Sequence, residues 1–333
     1  MKITYIFRAT SHARSIERVF EPIITEMRSS GHEVFVENAT KGKCLLSSLL
    51  KNMVHFAKLS RTNLCHITGD VQYVACLMKP SNTLLTIHDL VPLHNKNVPW
   101  YSKLLCYWLW YYIPLRRLKR VTCISEATRQ DILSFFPWAD SKIIVIPNPI
   151  DSSFSYTPRP FNLEYPCILH IGTKTNKNLL RVIEAIAGYR CHLRIIGKLD
   201  KEYVEALKTH LIDYSNEFGI SDEQIIKEYK DCDIVSFPSL FEGFGMPIIE
   251  GQATGRIVVT SDREPMRTIA DGSAILVDPE DVSSIRCGFK SAINEREMRI
   301  ELINKGVVNA QRFFVPTISN AYLEQYKCLL GEQ

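Results

Sequence analysis

The sequence predicts an α/β protein with two domains, each built on a parallel sheet. Residues 2–7 are an apolar strand-like run, residues 16–29 have a helical pattern that ends at Gly31, and a second strand-like run follows. Strand, helix and strand in this order are typical of a parallel sheet. A second series starts at 167–172, after a linker at 152–166 that contains proline and serine. A chain of 333 residues is long enough for about two domains.

The composition indicates a folded protein without disulfides. Hydrophobic residues make up 46% of the chain, which is enough for sizeable cores. The longest apolar runs are interrupted well before the ~18 residues of a membrane span, and residues 1–7 favour a strand over a signal peptide. The ten cysteines include no C-x-x-C pair, which indicates reduced thiols. We therefore expect a cytoplasmic protein.

The charge is divided unevenly along the chain. Residues 1–155 contain 19 Lys and Arg against 11 Asp and Glu, a net +8, whereas the rest has a net −4. This asymmetry favours a first domain that faces an anionic surface. Residues 96–120 are rich in Trp, Tyr, Lys and Arg and contain no acid. They form either a segment that docks on an anionic membrane or an ordinary amphipathic helix with its aromatic residues in the core.

Two places in the first domain predict ligand contacts. Strand-like runs lie at 64–67 and 83–87, and the second ends in His88 and Asp89, where open α/β sheets place ligand groups. The alternative for His88 is a histidine that only caps the sheet edge. A strand near 120–123 leads to Ser125, a predicted N-cap for a helix through residue 135. The last strand of this domain is predicted within 142–146.

The most informative stretch is the loop between Glu242 and Glu250. It follows an apolar run at 234–238 and precedes a helix with Pro247 in its first turn, where the missing N–H costs nothing. Glycines allow close approach of a ligand, and the start of a helix attracts phosphate. Carboxylates accept hydroxyl hydrogen bonds and suit the diols of a sugar or ribose. The pattern therefore predicts a nucleotide-sugar site, although a glutamate near a helix start can also be purely structural.

The segment 238–250, PSLFEGFGMPIIE, resembles the E-x7-E signature of the retaining family 4 glycosyltransferases. Similar matches occur at His88-Asp89-Leu90, Ser125-Glu126 and Lys177-Asn178, so the resemblance covers nearly the whole chain. It implies the GT-B fold, an α/β architecture of two Rossmann-like domains facing each other across a cleft. The expected domains are 1–155 on the acceptor side and 156–315 for the nucleotide sugar, with a helix at 316–333 that crosses back to the first domain.

The resemblance also implies roles for individual residues. The expected catalytic residues are Glu242, Lys177 and His88, with Lys177 on the donor diphosphate. Glu250 is expected to hold the ribose. Further donor-binding residues are Gly243, Phe244, Gly245, Met246, Pro247, Gly172, Thr173, Lys174, Gly197 and Lys198. The expected acceptor-side residues are Asp89, Arg14 and Ser125.

The partners follow from the same resemblance. We expect a UDP- or GDP-sugar donor and a lipid-linked glycan acceptor of surface polysaccharide assembly, with no cofactor and no nucleic acid. Peripheral contact with the inner membrane face would run through residues 96–120. Asp231 and Asp233 form a D-x-D pattern before a buried strand; we interpret them as structural and expect no metal.

Proteins of other classes share parts of this pattern. The first loop, residues 8–15, contains no glycine, which argues against the G-x-G-x-x-G of a dehydrogenase. Family 4 enzymes usually carry glycines in this loop, so a nucleotide-sugar-binding subunit without catalysis remains open. A GT-B sugar-nucleotide epimerase, which binds the same donor, is the other alternative.

Overall fold

A computed structural model describes residues 1–9, 15–41, 45–95 and 98–331. The chain forms two units. The N-terminal unit comprises Met1–Pro149 together with Val315–Gln333, and the C-terminal unit comprises Ile150–Phe314. The sequence had suggested a boundary at 155, within the proline- and serine-bearing linker; the contacts place it after Pro149.

The N-terminal unit contains a six-stranded sheet in which every pairing is parallel. Its strands are β1 (Lys2–Phe7), β2 (Glu33–Asn38), β3 (Leu64–Ile67), β4 (Thr83–Ile87), β5 (Val121–Cys123) and β6 (Ile143–Val145). The order is β2-β1-β3-β4-β5-β6. The direction of strand addition reverses between β1 and β3, and ligands of open α/β sheets bind where this reversal occurs.

Helices cover this sheet. They are α1 (Ser15–Ser29), α2 (Leu45–Leu59), α3 (Val91–His94), α4 (Trp100–Cys106), α5 (Ile113–Arg117) and α6 (Glu126–Phe135). A π-helical segment, Tyr107–Tyr112, joins α4 to α5. Short 3₁₀ turns lie at Gln72–Cys76, Pro80–Asn82 and Pro137–Lys142. The predicted N-cap is confirmed, because the Ser125 hydroxyl accepts a hydrogen bond from the Thr128 N–H at 3.1 Å.

The C-terminal unit contains a second six-stranded parallel sheet. Its strands are β7 (Cys167–Ile171), β8 (His192–Ile196), β9 (Tyr214–Glu217), β10 (Ile234–Phe237), β11 (Ile257–Ser261) and β12 (Ile275–Val277). The order β12-β11-β10-β7-β8-β9 is that of a Rossmann fold, with the reversal between β7 and β10. The prediction of an α/β protein with two parallel sheets is confirmed.

Seven helices of the C-terminal unit and one at the end of the chain complete the described fold. They are α7 (Leu179–Ile186), α8 (Lys201–Thr209), α9 (Asp222–Asp231), α10 (Met246–Ala253), α11 (Met266–Ala270), α12 (Val282–Asn294), α13 (Arg296–Ala310) and α14 (Val315–Leu330). Short 3₁₀ turns lie at Thr175–Lys177 and Gln311–Phe313. None of the described helices is long and apolar enough to span a membrane.

The last helix, α14, belongs to the core of the N-terminal unit. Its Tyr326 hydroxyl lies 2.6 Å from Nδ1 of His66 on β3 and 3.1 Å from the Tyr5 hydroxyl on β1. Burial lowers the pKa of His66 to about 3, so the ring is neutral and serves as a hydrogen-bonding core residue. Buried polar contacts of this kind fix the position of a helix on a sheet more specifically than apolar packing alone.

Candidate functional site

The loops after β7 and β10 meet at the reversal point of the C-terminal sheet. Nζ of Lys177 lies 2.7 Å from Oε1 of Glu242, and both side chains are mostly buried, with 19% and 15% exposed. The Asn176 side-chain amide donates to the same oxygen at 3.2 Å, and the Asn176 backbone carbonyl accepts from the Leu240 N–H at 2.8 Å. Two predicted catalytic residues, 65 positions apart, thus lie in direct contact.

Local backbone geometry positions Lys177. Gly172 has φ of +95°, and a Cβ added there would lie 3.0 Å from Cγ of Lys177, so the glycine makes room for the lysine stem. Asn178 is left-handed, and its buried amide donates to the carbonyls of Pro238 at 3.0 Å and Pro279 at 2.7 Å. The ammonium also lies 4.7 Å from the centre of the Phe237 ring. These contacts hold the Lys177 ammonium at the carboxyl end of the sheet.

The glycine-rich loop forms the predicted turn into a helix. Gly245 has φ of +123° and precedes α10, which has Pro247 in its first turn. Gly243 and Met246 are partly buried, whereas the Phe244 side chain is buried edge-on against Phe313, with ring centres 5.8 Å apart. Since the Phe244 side chain lies in the core, a ligand at this loop can contact Phe244 only through its backbone.

Glu250 has a partner that the sequence did not suggest. The Tyr229 hydroxyl, on α9, donates to Oε2 of Glu250 at 2.5 Å. Tyr229 is fully buried, and burial together with the nearby carboxylate raises its pKa well above the usual value. The phenol therefore stays protonated and remains a hydrogen-bond donor. It orients the Glu250 carboxylate from within the core.

The remaining predicted donor residues of this unit lie around the end of β8. The Thr173 hydroxyl donates to the Lys198 carbonyl at 2.7 Å, and a Cβ on Gly197 would lie 2.7 Å from Cγ2 of Thr173. Gly197 is therefore required for the close approach of the two loops. The side chains of Lys174 and Lys198 are exposed.

The D-x-D pattern has a structural use, as the sequence suggested. The Asp233 side chain is 1% exposed, and its carboxylate accepts from the backbone N–H groups of Asn162 at 3.1 Å and Cys167 at 2.8 Å. Asp231 lies 3.0 Å from Lys227 on the surface of α9. Within the described ranges, no group of three His, Cys, Asp or Glu residues is arranged to hold a metal ion.

In the N-terminal unit, His88 and Asp89 line a cavity of about 310 Å³ at the carboxyl ends of β3 and β4. Nε2 of His88 donates to the Thr68 carbonyl at 2.7 Å, and burial lowers the pKa of the ring, so His88 is neutral. A Cβ on Gly69 would lie 2.8 Å from this ring, which explains a glycine there. The Asp89 carboxylate accepts from the Val91 N–H at 3.0 Å.

The other predicted acceptor-side residues have different outcomes. Ser125 is buried, and its hydroxyl is engaged by both the N–H and the hydroxyl of Thr128, so the structure gives it a capping role. Its acceptor contact stays a prediction. Arg14 lies outside the described residues.

The cavity adds residues that the sequence analysis missed. Asp70, Gln72 and Trp110 also line it, and Asp70 is 2.6 Å from NH1 of Arg8. Gly69 and Asp70, which follow the buried strand 64–67 after one intervening residue, were the available signal, because a strand end beside the reversal point is a common ligand position.

The aromatic stretch predicted at residues 96–120, either a membrane-docking segment or a helix with its aromatic residues in the core, has a buried part and an exposed part. Tyr111 is buried in the core, and Tyr107, Trp110 and Tyr112 pack against it. An aromatic patch remains exposed, with Trp100 76% accessible. We define it as Trp100, Tyr101, Leu104, Leu105 and Trp108. Lys96 lies outside the described residues.

Two family profiles match this chain. Residues 157–307 match the profile described as glycosyl transferases group 1, and residues 50–154 match that described as glycosyltransferase family 4. Together the matched ranges span more than three quarters of the chain. The chain belongs to the family 4 glycosyltransferases, and its two parallel sheets are those of the GT-B fold.

Curated relatives are distant. The serotype-specific mannosyltransferase WbdA of Escherichia coli is 21% identical over 283 residues, which cover 75% of this chain and 34% of WbdA. The O-antigen chain mannosyltransferase B of Escherichia coli is 22% identical over 234 residues, or 63% of this chain and 61% of that protein. The chain thus spans between a third and two thirds of the length of these relatives.

Solved structures share the fold over the whole chain. A glycosyltransferase from Rickettsia africae superposes with a TM-score of 0.79 at 18% identity, covering 100% of both chains. HepE of Anabaena, in complex with UDP and glucose, has a TM-score of 0.76 at 16% identity, covering 98% of this chain and 99% of HepE.

Proposed function

We propose that this chain is a retaining glycosyltransferase that moves a sugar from a UDP- or GDP-sugar to a hydroxyl of a glycan acceptor. The contact of 2.7 Å between Lys177 and Glu242, at the reversal point of a Rossmann-type sheet, carries the proposal. An ammonium that binds a diphosphate, beside a carboxylate that binds sugar hydroxyls, is what a nucleotide-sugar donor requires.

The positive charge of the site acts on the leaving group. When the bond between the anomeric carbon and the phosphate oxygen breaks, negative charge develops on the departing diphosphate. Lys177 and the positive dipole end at the start of α10 stabilise this charge. Because these groups supply the positive charge, the proposal includes neither a metal ion nor a cofactor.

Two carboxylates orient the donor. Glu242 and the backbone at Gly243–Met246 hold the sugar hydroxyls, and a diphosphate that reaches Nζ of Lys177 competes with Glu242 for the ammonium. Glu250, oriented by Tyr229 at 2.5 Å, holds the ribose. The departing phosphate oxygen takes the proton of the acceptor hydroxyl as the new glycosidic bond forms on the same face of the sugar, which accounts for retention.

The proposed acceptor is a lipid-linked glycan of surface polysaccharide synthesis at the inner membrane face. The relatives named as serotype-specific and O-antigen mannosyltransferases support this substrate class. The aromatic patch and the net +8 of residues 1–155 support peripheral docking on an anionic membrane, because Trp and Tyr favour the interface and Lys and Arg attract anionic head groups. Electrostatic contacts of this kind weaken at high salt.

A thermal-shift screen of UDP- and GDP-sugars tests the donor proposal. A ligand at a concentration of 100 Kd stabilises the folded state by about 2.7 kcal/mol. We expect one nucleotide to raise the melting temperature of the wild type and to lose this effect in Lys177→Ala. Failure of every UDP- and GDP-sugar to stabilise the wild type contradicts the proposal.

Product analysis separates the alternatives. An epimerase returns a changed sugar nucleotide and leaves the acceptor unmodified, whereas a non-catalytic subunit binds the donor without turnover. Transfer to an added glycan by the purified chain contradicts both.

A further inference from the structure

Asn176 fastens the 3₁₀ turn at Thr175–Lys177 to the loop after β10. Its side-chain amide donates to the Phe241 carbonyl at 3.1 Å and to Oε1 of Glu242 at 3.2 Å. Its backbone carbonyl accepts from the Leu240 N–H at 2.8 Å. Because a carbonyl and a carboxylate are both acceptors, the NH2 group of the amide must face them. The amide therefore has one orientation, and in that orientation it holds Glu242.

The contacts of the Glu242 carboxylate are concentrated on one of its two oxygens. Among the described residues, its hydrogen bonds come from Asn176 and Lys177, and both are made to Oε1. The Glu242 side chain is 15% exposed, so the carboxylate is not sealed off from a ligand. An ionised carboxylate has acceptor sites on both oxygens, and Oε2 is thus left to accept a hydroxyl group of a ligand.

The two donors to Oε1 differ in charge. The Lys177 ammonium is attracted to a diphosphate, which competes with Glu242 for it, whereas the neutral Asn176 amide experiences no comparable attraction. When a diphosphate draws the ammonium away, the amide is the contact that stays on Glu242. A glutamate side chain that is fixed before binding loses less rotamer freedom on binding, so a ligand hydroxyl at Oε2 is bound more tightly.

We propose that Asn176 is a positioning residue for the donor sugar. It holds Oε1 of Glu242 while Lys177 binds the diphosphate, so that Oε2 accepts a sugar hydroxyl. This assignment rests on the proposed function, because it concerns the sugar half of a nucleotide-sugar donor. Its consequence is specific: loss of the Asn176 amide should weaken binding of the sugar and leave binding of the nucleotide nearly unchanged.

The decisive variant is Asn176→Leu, which keeps the size of the side chain and removes both donors. Isothermal titration gives Kd for free UDP or GDP and for the matching sugar nucleotide that stabilises the wild type. We expect the ratio of the sugar-nucleotide Kd to the free-nucleotide Kd to rise by about 10-fold, with the free-nucleotide Kd changed by less than about 3-fold. Asn304→Leu, at an exposed position on α13 of the same unit, is the matched control and should leave the ratio unchanged.

A double-mutant cycle tests whether Asn176 acts through Glu242. In a Glu242→Ala background there is no carboxylate to hold, so adding Asn176→Leu should change the Kd ratio by less than about 2-fold. If Asn176→Leu does not fold, Asn176→Ser takes its place in both backgrounds, because a serine side chain is too short to reach both acceptors.

Three results overturn the positioning role while the donor proposal stands. They are a Kd ratio in Asn176→Leu equal to that of the wild type, an equal loss of affinity for the free nucleotide and the sugar nucleotide, and a full effect of Asn176→Leu in the Glu242→Ala background. The second of these is what a purely structural role of Asn176 would produce. A wild type that binds no UDP- or GDP-sugar rejects the proposed function, and the positioning role with it.

Discussion

Replacing Glu242 with Gln should separate nucleotide affinity from turnover. In the structure, Oε1 of Glu242 lies 2.7 Å from Nζ of Lys177, so the carboxylate competes with any diphosphate that approaches the ammonium. Glu242→Gln keeps the shape and a carbonyl acceptor for Lys177 but removes the competing negative charge. We therefore expect tighter binding of free UDP or GDP and slower sugar transfer.

The magnitude follows from the geometry of the pair. A hydrogen bond between charged groups contributes about 1.5–3 kcal/mol, and both side chains are less than one fifth exposed, so solvent screening is limited. Lys177 has three donors and can keep part of this contact while it binds phosphate. A loss of about 1–2 kcal/mol of competition corresponds to roughly 5- to 30-fold tighter nucleotide binding. The weaker hydrogen bonds from the sugar hydroxyls to an uncharged amide oxygen should lower kcat by about 10-fold.

Isothermal titration with the free nucleotide, and initial rates with the matching sugar nucleotide, measure the two effects. Glu301→Gln is the control, because Glu301 forms a Lys–Glu contact of 2.6 Å with Lys305 on the exposed surface of α13. Weaker or equal nucleotide binding in Glu242→Gln, together with unchanged kcat, would refute the reasoning.

Three further predictions follow from other contacts. Lys177→Ala should lower kcat by ~10²-fold or more, and EDTA should leave the wild-type rate unchanged; dependence on Mn²⁺ or Mg²⁺ speaks against the metal-free site. Glu250→Ala should weaken nucleotide binding by about 5- to 100-fold and Tyr229→Phe by about 5-fold, because each variant loses hydrogen bonds. If titration gives both variants the Kd of the wild type, Glu250 does not hold the ribose. Wild-type protein should co-sediment with anionic vesicles at low salt and less at high salt. The double variant Trp100→Ser with Lys103→Ser should bind the vesicles less, whereas Phe218→Ser, at an exposed site in the C-terminal unit, should bind them as the wild type does. Equal binding by the wild type, the double variant and Phe218→Ser removes the docking proposal.

Much of the fold was predictable because its signals are local. The strands at 2–7, 64–67 and 83–87 are apolar runs with the bounds that the structure gives them, and the helix after Gly245 begins where glycine and proline indicated. The family resemblance indicated Lys177 and Glu242 separately as catalytic residues. The structure brings them into contact because β7 and β10 are neighbouring parallel strands whose carboxyl ends lie at the same edge of the sheet.

The missed features depend on tertiary packing. Tyr229 meets Glu250 from another helix, 21 positions away, and nothing in its own sequence surroundings marks it. The cavity in the N-terminal unit requires Gly69 beneath His88 and a π-helical turn at Tyr107–Tyr112. Neither feature produces a periodic pattern of apolar residues by which it could be predicted from the sequence. The sequence could not separate core from exposed aromatic residues in the stretch 96–120, because both faces are rich in Trp and Tyr. The structure buries Tyr111 and leaves Trp100 exposed.

The most direct measurement is the anomeric configuration of the transferred sugar. The wild type is incubated with the nucleotide sugar that stabilises it, labelled with ¹³C at the anomeric carbon, and with a neutral alkyl glycoside, and the reaction is followed by NMR. The proposed mechanism predicts a new glycoside whose anomeric configuration matches that of the donor, and formation of this product at least ~10²-fold more slowly with Lys177→Ala. A product of inverted configuration, or a labelled donor that is never consumed, would contradict it.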